Sequence, residues 1–258
     1  MNLAVVALTP RGAEVARRLR ASQPGSDLFL LQKLQGEGAG AQYFDRLGEL
    51  VPRLFGEYRG MVFIMAAGIA VRAIAPHIRD KKQDPAVVAV DEGGHFAISL
   101  LSGHEGGANA LAVEVANALG AEPVITTASE SQKPLTLGLG SRKGVDAQAV
   151  RQAIEQALEA AGRHLEEVRW AATIDLKARE PGIVAACREL GLSLRVIPRQ
   201  AVRDLSGGFQ PSPRVKKWIG VEGVCEPCAL LAGRNARLIL PKRALNGVTV
   251  AIAEESST

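Results

Sequence analysis

Apolar runs of strand length alternate with runs of helical periodicity along this chain of 258 residues. The first pair is 2–8 and 11–21, and Thr9 and Pro10 between them suit a helix N-cap and a first helical residue. Such alternation is typical of proteins in which helices cover a mostly parallel sheet. At 86–100, two strand candidates flank an Asp-Glu-Gly-Gly turn, which predicts a hairpin. We therefore predict an α/β fold with mostly parallel sheets and some antiparallel edges.

The predicted elements fall into two sets on either side of a short polar junction at 129–134. This division predicts two layered α/β domains, 1–130 and 131–258, with a cleft between them. The first set has strands at 2–8, 27–30, 61–65, 86–90, 95–100 and 123–126 and helices at 11–21, 42–55, 69–78 and 107–119. The second set has strands at 135–139, 168–173, 193–196, 236–240 and 248–253 and helices at 146–161, 180–190 and 222–232, with a turn-rich stretch before the last helix.

The charged residues of the chain are scattered. Lys and Arg number 31 and Asp and Glu 27, which gives a net charge of +4, and aromatic residues make up 4%. A nucleic-acid surface more often shows a basic stripe or stacking aromatic side chains, so we expect no nucleic-acid partner. No apolar run reaches the roughly 18 residues of a membrane helix, and the first residues carry no basic leader. We therefore expect a cytoplasmic protein without a membrane span.

A glycine-framed segment, residues 99–109, joins a strand candidate to a helix candidate and reads Ser-Leu-Leu-Ser-Gly-His-Glu-Gly-Gly-Ala-Asn. Glycines let the backbone turn tightly and let a ligand approach closely, and N–H groups at the start of a helix favour an anion. A neighbouring imidazole and carboxylate are able to move protons. The alternative is a plain turn with solvated polar side chains. The candidate site residues here are Gly103, His104, Glu105, Gly106, Gly107 and Asn109.

A second glycine stands at another strand-to-helix boundary. Gly68 follows the strand candidate 61–65, and Arg72 comes one turn later, where it suits an anion near the helix N-terminus. Further along, Asp91 and Glu92 form an acidic tip after a buried strand. Ligands in open α/β sheets bind beyond the carboxyl ends of strands, so we expect the loop of Gly68, the glycine-framed segment and residues 138–142 around one cleft between the domains.

Three motifs in this half together resemble one family closely. The chain reads G-I-x-V-R-x-x-A-P from residue 68, D-P-A-V-V-x-x-D-E from residue 84 and I-S-L-L-S-G-H-x-G-G-A-N-A-L from residue 98. In this order they resemble the signature of the cobalt-precorrin-5A hydrolases of anaerobic cobalamin biosynthesis (CbiG). Three such motifs in this order are far more specific than an isolated glycine motif.

The second half resembles the C-terminal domain of the same family, which also has a stand-alone relative in the aerobic pathway. The matching segments include 135–144, 171–182 and 223–227. Family members usually carry a middle segment between the two halves, whereas only residues 129–134 stand there in this chain. The substrate-binding candidates of this half are Gly138, Gly140 and Arg142, at the end of a strand candidate, together with Lys177 and Glu226. We expect Arg142, Lys177 and Glu226 to face the cleft and contact the substrate's side chains; alternatively, Glu226 only stabilises a helix start.

The resemblance implies opening of the δ-lactone of a cobalt-containing corrin precursor and release of acetaldehyde. We expect His104 to act as general base and the Gly106 and Gly107 amides to stabilise the oxyanion. Asp91, Glu92 and Glu105 are alternative bases, and His104 alternatively only holds the loop. Because no G-x-S-x-G elbow or Ser-His-Asp order appears, direct attack by water is favoured. Cobalt arrives within the substrate, so we expect no cofactor and no protein metal site.

Other interpretations of the chain stay open. One is a non-catalytic tetrapyrrole carrier or scaffold, which the short 129–134 junction favours; a weaker one is a small-anion or nucleotide sensor. Lys177 and Glu180, three apart, alternatively form a simple helix-start ion pair. Cys225 and Cys228 have the spacing of a redox or zinc pair, but no second pair accompanies them, so we predict buried structural thiols. The sequence leaves open a homodimer or a complex with other cobalamin-pathway enzymes.

Overall fold

The structure is a computed structural model that describes residues 2–256, with the backbone alone at 213 and 214. Two compact units divide the chain, Met1–Thr127 and Ala128–Thr258. Each unit has its own sheet, with β-strands and covering helices, so the α/β class predicted from the sequence is confirmed. Within the described residues, no helix is long and apolar enough to span a membrane.

The N-terminal unit contains seven strands and four α-helices within its described residues. In chain order they are β1 (Leu3–Ala7), α1 (Pro10–Ser22), β2 (Ser26–Leu31), β3 (Gln42–Phe44), α2 (Leu47–Glu57), β4 (Gly60–Ile64), α3 (Ala67–Ile74), β5 (Ala86–Val90), β6 (Phe96–Leu101), α4 (Ala108–Leu119) and β7 (Glu122–Val124). As predicted, the Thr9 side chain caps α1 by accepting a hydrogen bond from Gly12 N at 3.1 Å, and Pro10 is the first helical residue.

The seven strands form one sheet in the order β3-β2-β1-β4-β5-β6-β7. All neighbouring pairs are parallel except β5 and β6, which form the hairpin predicted from the sequence. Apolar side chains of β1, β4 and β5 point alternately to the two faces. One face packs against α1 and α4 and the other against α2 and α3, so the sheet is buried on both sides.

One predicted helix of this unit is wrong at its start. Residues 42–44 form β3, a parallel edge strand beside β2, and α2 begins only at Leu47. Tyr43 and Phe44 are aromatic residues that suit a strand, and pairing with β2 satisfies their backbone groups. Tertiary pairing therefore overrides the helical periodicity of the segment.

The C-terminal unit has five strands and six α-helices in its described part. In chain order they are α5 (Ala128–Ser131), β8 (Leu135–Ser141), α6 (Ala147–Ala161), β9 (Val168–Ile174), α7 (Pro181–Glu189), β10 (Leu194–Ile197), α8 (Arg199–Asp204), α9 (Pro213–Ile219), α10 (Cys225–Ala232), β11 (Arg237–Leu245) and β12 (Val248–Glu254). The sheet order is β10-β9-β8-β12-β11, with β8, β9 and β10 parallel and β12 and β11 antiparallel.

The two faces of this second sheet are covered unequally. The large core between the sheet, α6 and α7 includes Leu137, Ile154 and Ile183, whereas α10 packs on the other face over a smaller cluster. The stretch predicted to be rich in turns contains two short helices, α8 and α9. Only one side chain of α8, Val202, is buried, so the segment has too few apolar positions for a helical periodicity to stand out.

Candidate functional site

The glycine loop, residues 102–107, joins β6 to α4. Because β6 runs antiparallel to β5, Leu101 lies beside Val87, so the loop emerges beside the beginning of β5. The hydroxyl of Ser102 donates a hydrogen bond at 3.0 Å to the carbonyl of Asp84, just before β5. The buried Asp84 carboxylate accepts hydrogen bonds from the amides of Arg79 and Asp80 at 2.9 and 3.0 Å, which fixes this neighbouring turn.

Glycines give this loop its backbone path. A Cβ on Gly103 would lie 2.8 Å from Thr127 Cγ2, and a Cβ on Gly106 would lie 2.3 Å from Ser102 Cβ. Gly107 caps α4 with a φ of +88°, in the left-handed region that disfavours other residues. Ser102 has a φ of +57°, an unusual value for a residue with a side chain. The loop is therefore a tightly specified conformation.

Unpaired backbone donors distinguish this loop. The N–H groups of residues 104–107 donate to no protein acceptor in the part of the chain that the structure describes. Hydrogen bonding resumes at Ala108 and Asn109, whose amides donate to Ser102 O and Gly103 O at 3.1 and 2.9 Å. Consecutive free N–H groups at a helix start form an anion-binding arrangement. The loop is thus able to stabilise a carboxylate or a developing oxyanion.

The two ionisable residues of the loop differ in their contacts. His104 is exposed, and among the described residues its side chain has no hydrogen-bond partner. Glu105 forms an ion pair with Lys81 at 3.1 Å, with both side chains substantially exposed. Such an exposed pair contributes little to stability. The imidazole is therefore the group of this loop that is free to act on a ligand, whereas the carboxylate already has a cationic partner.

Asn109 is buried at the start of α4, directly behind the loop. Its side-chain oxygen accepts a hydrogen bond from the Ser99 hydroxyl at 2.9 Å, and its side-chain nitrogen donates to the Thr127 hydroxyl at 3.0 Å. Both polar atoms of the Asn109 side chain thus form hydrogen bonds within the protein, one with β6 and one with the segment after β7. The geometry supports a role in positioning the loop.

Gly68, Arg72 and Asp91 lie at the other edge of the same sheet. Gly68 follows β4 and Asp91 follows β5, whereas the glycine loop lies where these strands begin. The five residues of β5 at about 3.3 Å each separate the two edges by about 15 Å. The expectation that the loop of Gly68 shares one cleft with the glycine loop is therefore wrong within this unit. The reversal of β6 is the physical reason.

At that far edge, both carboxylate oxygens of Asp91 accept hydrogen bonds from the turn that follows it. Its carboxylate accepts hydrogen bonds from the amides of Gly93, His95 and Phe96 and from the His95 imidazole, at 2.8 to 3.0 Å. Partial burial raises the pKa of Asp91, but these hydrogen bonds outweigh it and hold the pKa below its ordinary value. A carboxylate held in its ionised form in this way is a weak proton acceptor. Arg72, exposed on α3, donates to the carbonyl of Gly68 at 3.3 Å and has no other acceptor among the residues that the structure describes.

In the C-terminal unit, Lys177 and Glu180 form the predicted ion pair at 2.9 Å. The Glu180 carboxylate is buried and also accepts a hydrogen bond from Gly144 N at 2.7 Å. The Lys177 ammonium, helped by backbone amides, lowers the pKa of Glu180. The pair therefore joins the turn after β8 to the start of α7, and the charge of Lys177 is already neutralised.

Glu226 lies in the first turn of α10, as predicted, and only 3% of its surface is exposed. Its two carboxylate oxygens accept hydrogen bonds from the amides of Gln210 and Lys242, at 2.9 and 2.8 Å. Glu226 therefore has a structural role, and its contact with the substrate stays a prediction. Glu226 ties the segment before α9 and strand β11 to the beginning of α10.

Gly138 serves packing. A Cβ there would lie 1.7 Å from the carbonyl oxygen of Cys225, so α10 is able to approach β8 only because this residue has no side chain. Gly140, two residues further, and Arg142 line a cavity of about 840 Å³ together with Lys177 and Glu226. We call it the C-terminal cavity. It brings four of the predicted site residues together within one unit.

The sequence analysis missed three further residues that line this cavity, Lys143, Trp218 and Lys242. Trp218 belongs to α9, in the stretch predicted to be turns, and 75% of its surface is exposed. The sequence signal that could have indicated this site is an isolated tryptophan next to two lysines, Lys216 and Lys217, in a polar stretch. Lys242 lies on β11, and its own amide donates a hydrogen bond to Glu226.

The cysteines are structural, as predicted. All three are buried and free. Burial raises the pKa of Cys225 to about 11 and that of Cys187 to about 12, and raises the pKa of Cys228 as well. Thiols of this kind are neither reactive nor good metal ligands. Among the described residues, no group of His, Cys, Asp and Glu side chains has the arrangement of a metal site.

Comparison with known families gives two adjoining matches. The family model "Cobalamin synthesis G N-terminal" matches residues 49–130, and "Cobalamin synthesis G C-terminus" matches residues 135–253. The two matches flank residues 131–134 and together take in both the glycine loop and the C-terminal cavity.

Individual relatives agree with these matches. A cobalt-precorrin-5A hydrolase of Priestia megaterium is 28% identical, over 98% of this chain and 94% of that protein. A protein of the same name from Salmonella typhimurium is 46% identical over 50% of this chain and 36% of its own length, and protein CobE of a Sinorhizobium species is 34% identical over 46% of this chain and 79% of its own. The Priestia alignment spans 354 positions against the 258 residues of this chain, so at least 96 positions of that alignment have no counterpart here.

Proposed function

Since this chain belongs to the cobalamin synthesis G (CbiG) family, we propose that it is a cobalt-precorrin-5A hydrolase. The reaction adds water to the δ-lactone of the corrin precursor and releases acetaldehyde. The observation that supports it best is the glycine loop, where an exposed imidazole adjoins four backbone N–H groups that have no acceptor among the described residues. Cobalt belongs to the substrate in this proposal, and the setting is the cytoplasm.

The first chemical step is attack of water on the lactone carbonyl. His104 takes a proton from the water as its oxygen bonds to the carbonyl carbon, and the carbonyl oxygen becomes an oxyanion. The amides of Gly106 and Gly107 are the donors for that oxyanion, because the loop fixes them in advance. Collapse of the tetrahedral intermediate breaks the ring C–O bond and leaves a carboxylic acid, which loses its proton to solvent, and an alkoxide.

The second step releases acetaldehyde. The alkoxide oxygen forms a carbonyl as the adjacent carbon–carbon bond breaks, and the electron pair of that bond stays with the macrocycle, which later takes up a proton. The protonated His104 is the proton donor closest at hand on the loop. Glu105 is less suited to either step because Lys81 pairs with it, and Asp91 is less suited because it lies at the far edge of the sheet.

A second candidate function is a non-catalytic tetrapyrrole carrier in the same pathway. The observation that favours it is the set of at least 96 alignment positions without counterpart in this chain. If those residues help to enclose the substrate in the relatives, this chain would bind the macrocycle without turning it over. Binding and turnover therefore have to be measured separately.

The experiment is to incubate the purified protein with cobalt-precorrin-5A and to quantify acetaldehyde over time. We expect acetaldehyde from the wild type and a rate that is lower by about 10²–10⁴-fold in His104→Ala, the usual contribution of a positioned base. His95→Ala is the matched control, since it removes an exposed imidazole from the same unit at the far edge of the sheet. Absorbance changes of the tetrapyrrole without acetaldehyde from the wild type would favour the carrier. An unimpaired His104→Ala would rule out the proposed base.

A further inference from the structure

The C-terminal cavity has the size and shape of a small-molecule site. Its volume of about 840 Å³ falls within the range of roughly 300–1,000 Å³ that is usual for ligand pockets. The cavity lies where β8 and β9 end, and α9, the start of α10 and β11 enclose it. Carboxyl ends of parallel strands are where α/β sheets commonly bind ligands.

The apolar lining residues of the cavity, which we call the apolar wall, include two strongly exposed side chains. Trp218 exposes 75% of its surface and Leu176 exposes 48%, whereas the other tryptophan, Trp170, exposes 3%. Exposed apolar side chains gathered around a concavity mark a binding surface, because burying them on a ligand is favourable. The residues that form this wall are Leu176, Val215, Trp218, Ile219, Val224 and Pro227.

The rim of the cavity is cationic. Arg142, Lys143 and Lys242 line it, and among the described residues none of these three side chains has an ion-pair or hydrogen-bond partner. The fourth lining cation, Lys177, is neutralised by Glu180. Three unpaired positive charges around an apolar wall attract a ligand that carries several negative charges.

The one carboxylate among the described lining residues does not offset this charge at the cavity surface. Glu226 is buried, and its two oxygens accept hydrogen bonds from the amides of Gln210 and Lys242. These bonds hold two lining segments of the cavity, the segment before α9 and strand β11, to the same helix start. Glu226 is therefore a positioning residue that shapes the cavity and fixes the backbone of Lys242.

We propose that the C-terminal cavity binds the tetrapyrrole, with the ring face on Trp218 and the peripheral carboxylates on Arg142, Lys143 and Lys242. The identity of the macrocycle rests on the proposed function, whereas the ligand class, a flat apolar body with several carboxylates, follows from the cavity itself. A small inorganic anion would leave the apolar wall uncovered. An uncharged aromatic molecule would leave the cations without partners.

The test uses uroporphyrin, a stable tetrapyrrole with eight carboxylates, and coproporphyrin, which has four. In the full chain with Trp170→Phe, Trp218 is the sole tryptophan, so its fluorescence reports binding at this wall. We expect quenching by both porphyrins, tighter binding of uroporphyrin and weaker binding as salt is raised. Should Trp170→Phe disturb the fold, quenching in the wild type minus quenching in Trp218→Phe gives the same readout.

Variants then separate the ring contact from the charge contact. Changing Arg142, Lys143 and Lys242 together to Gln should weaken uroporphyrin binding by about 10- to 100-fold and abolish the preference over coproporphyrin. Trp218→Ala should weaken both porphyrins by about 10-fold, measured by porphyrin absorbance. Lys216→Gln, which removes an exposed lysine of α9 that is paired with Glu222, is the matched control and should bind normally.

The outcomes are distinguishable from failure of the proposed function. Porphyrin binding that depends on Trp218 and the three cations supports the inference even if no acetaldehyde is released. Binding that survives the triple variant unchanged, or tryptophan fluorescence that does not respond, overturns it even if the protein is an active hydrolase.

Discussion

The glycine loop after β6 and the segment 138–143 at the end of β8 both contain glycines but are built differently. The glycine loop follows its strand, whereas Gly138 and Gly140 lie within β8. In the first, Gly103, Gly106 and Gly107 shape a loop in which the amides of residues 104–107 have no acceptors among the described residues. In the second, Gly138 is covered by α10, and the groups available to a ligand are side chains around the C-terminal cavity.

The difference indicates two kinds of task. Backbone donors that are fixed by packing cannot move with the ligand, which suits stabilisation of charge at one defined position. Long side chains such as Arg142 and Lys143 adapt to carboxylates at variable positions, which suits binding of a large ligand. We propose that the glycine loop carries the chemistry and the C-terminal cavity the recognition, and substitutions in each region test the two roles separately.

The largest effect is expected from Gly138→Ala. The new Cβ would lie 1.7 Å from the Cys225 carbonyl, so α10 has to move away from β8. We expect the free energy of unfolding to fall by about 3 kcal/mol, as in severe overpacking. Urea denaturation measures it, with Gly48→Ala in α2 as control, because a Cβ there meets nothing within 4 Å and an alanine favours the helix. Equal stabilities of the two variants would contradict a packing role for Gly138.

The next largest effect is expected from Gly106→Ala. Its Cβ would lie 2.3 Å from Ser102 Cβ, so the glycine loop must shift, although little core is disturbed. We expect acetaldehyde release to slow by about 100-fold, as displacement of catalytic groups by about 1 Å does, with stability reduced by no more than about 1 kcal/mol. Steady-state kinetics measure the loss of rate, and urea denaturation measures the loss of stability. A variant with normal turnover would remove the backbone amides from the mechanism.

A smaller and pH-dependent effect is expected from Glu180→Gln. The folded protein lowers the pKa of Glu180 below its ordinary value of 4.5, so the carboxylate stabilises the fold above that pH. This contribution is lost as the pH falls through the lowered pKa. Glu180→Gln should therefore be less stable than the wild type by about 1–3 kcal/mol at pH 7, and the difference should shrink progressively below about pH 4.5. Urea denaturation of both proteins between pH 7 and acidic pH measures this difference in stability. A difference that grows as the pH falls would contradict a lowered pKa of Glu180.

The smallest effect on catalysis is expected from Asp91→Asn. The turn of Asp91 lies at the far edge of the sheet, about 15 Å from the glycine loop by the length of β5. We expect turnover within about twofold of the wild type and a loss of stability of about 1 kcal/mol from weaker hydrogen bonds to the turn amides. A rate lowered as strongly as in His104→Ala would indicate that Asp91 acts in catalysis. It would contradict the conclusion that its turn lies too far from the glycine loop to take part.

The sequence predicted most elements of the fold, because buried strands and amphipathic helices have strong periodicities. It also contained the information that corrects the single-cleft expectation. The hairpin predicted at 86–100 reverses β6, so the glycine loop had to emerge at the edge opposite Gly68 and Asp91. The error came from applying the rule for parallel strands to a strand that the hairpin had already reversed.

The C-terminal cavity was beyond prediction from local patterns. Trp218 is far along the chain from Arg142, and they line one cavity only because α9 is placed over the ends of β8 and β9. The roles of Glu226 and Asn109 were equally hidden, since a carboxylate or amide that binds distant backbone or hydroxyl groups looks the same in sequence as one that binds a ligand.

The irregularity of β11 has a consequence for how copies of this protein behave towards each other. β11 is an edge strand, and its pairing with β12 is interrupted between Leu238 and Leu240 and again between Leu240 and Arg243. Pro241 within this stretch has no N–H, and the amide of Lys242 is turned towards Glu226. An edge with bulges, a proline and basic side chains is a poor template for another strand. The hydrogen bond between the Lys242 amide and Glu226, which fixes the start of α10, thus also disfavours edge-to-edge aggregation through β11.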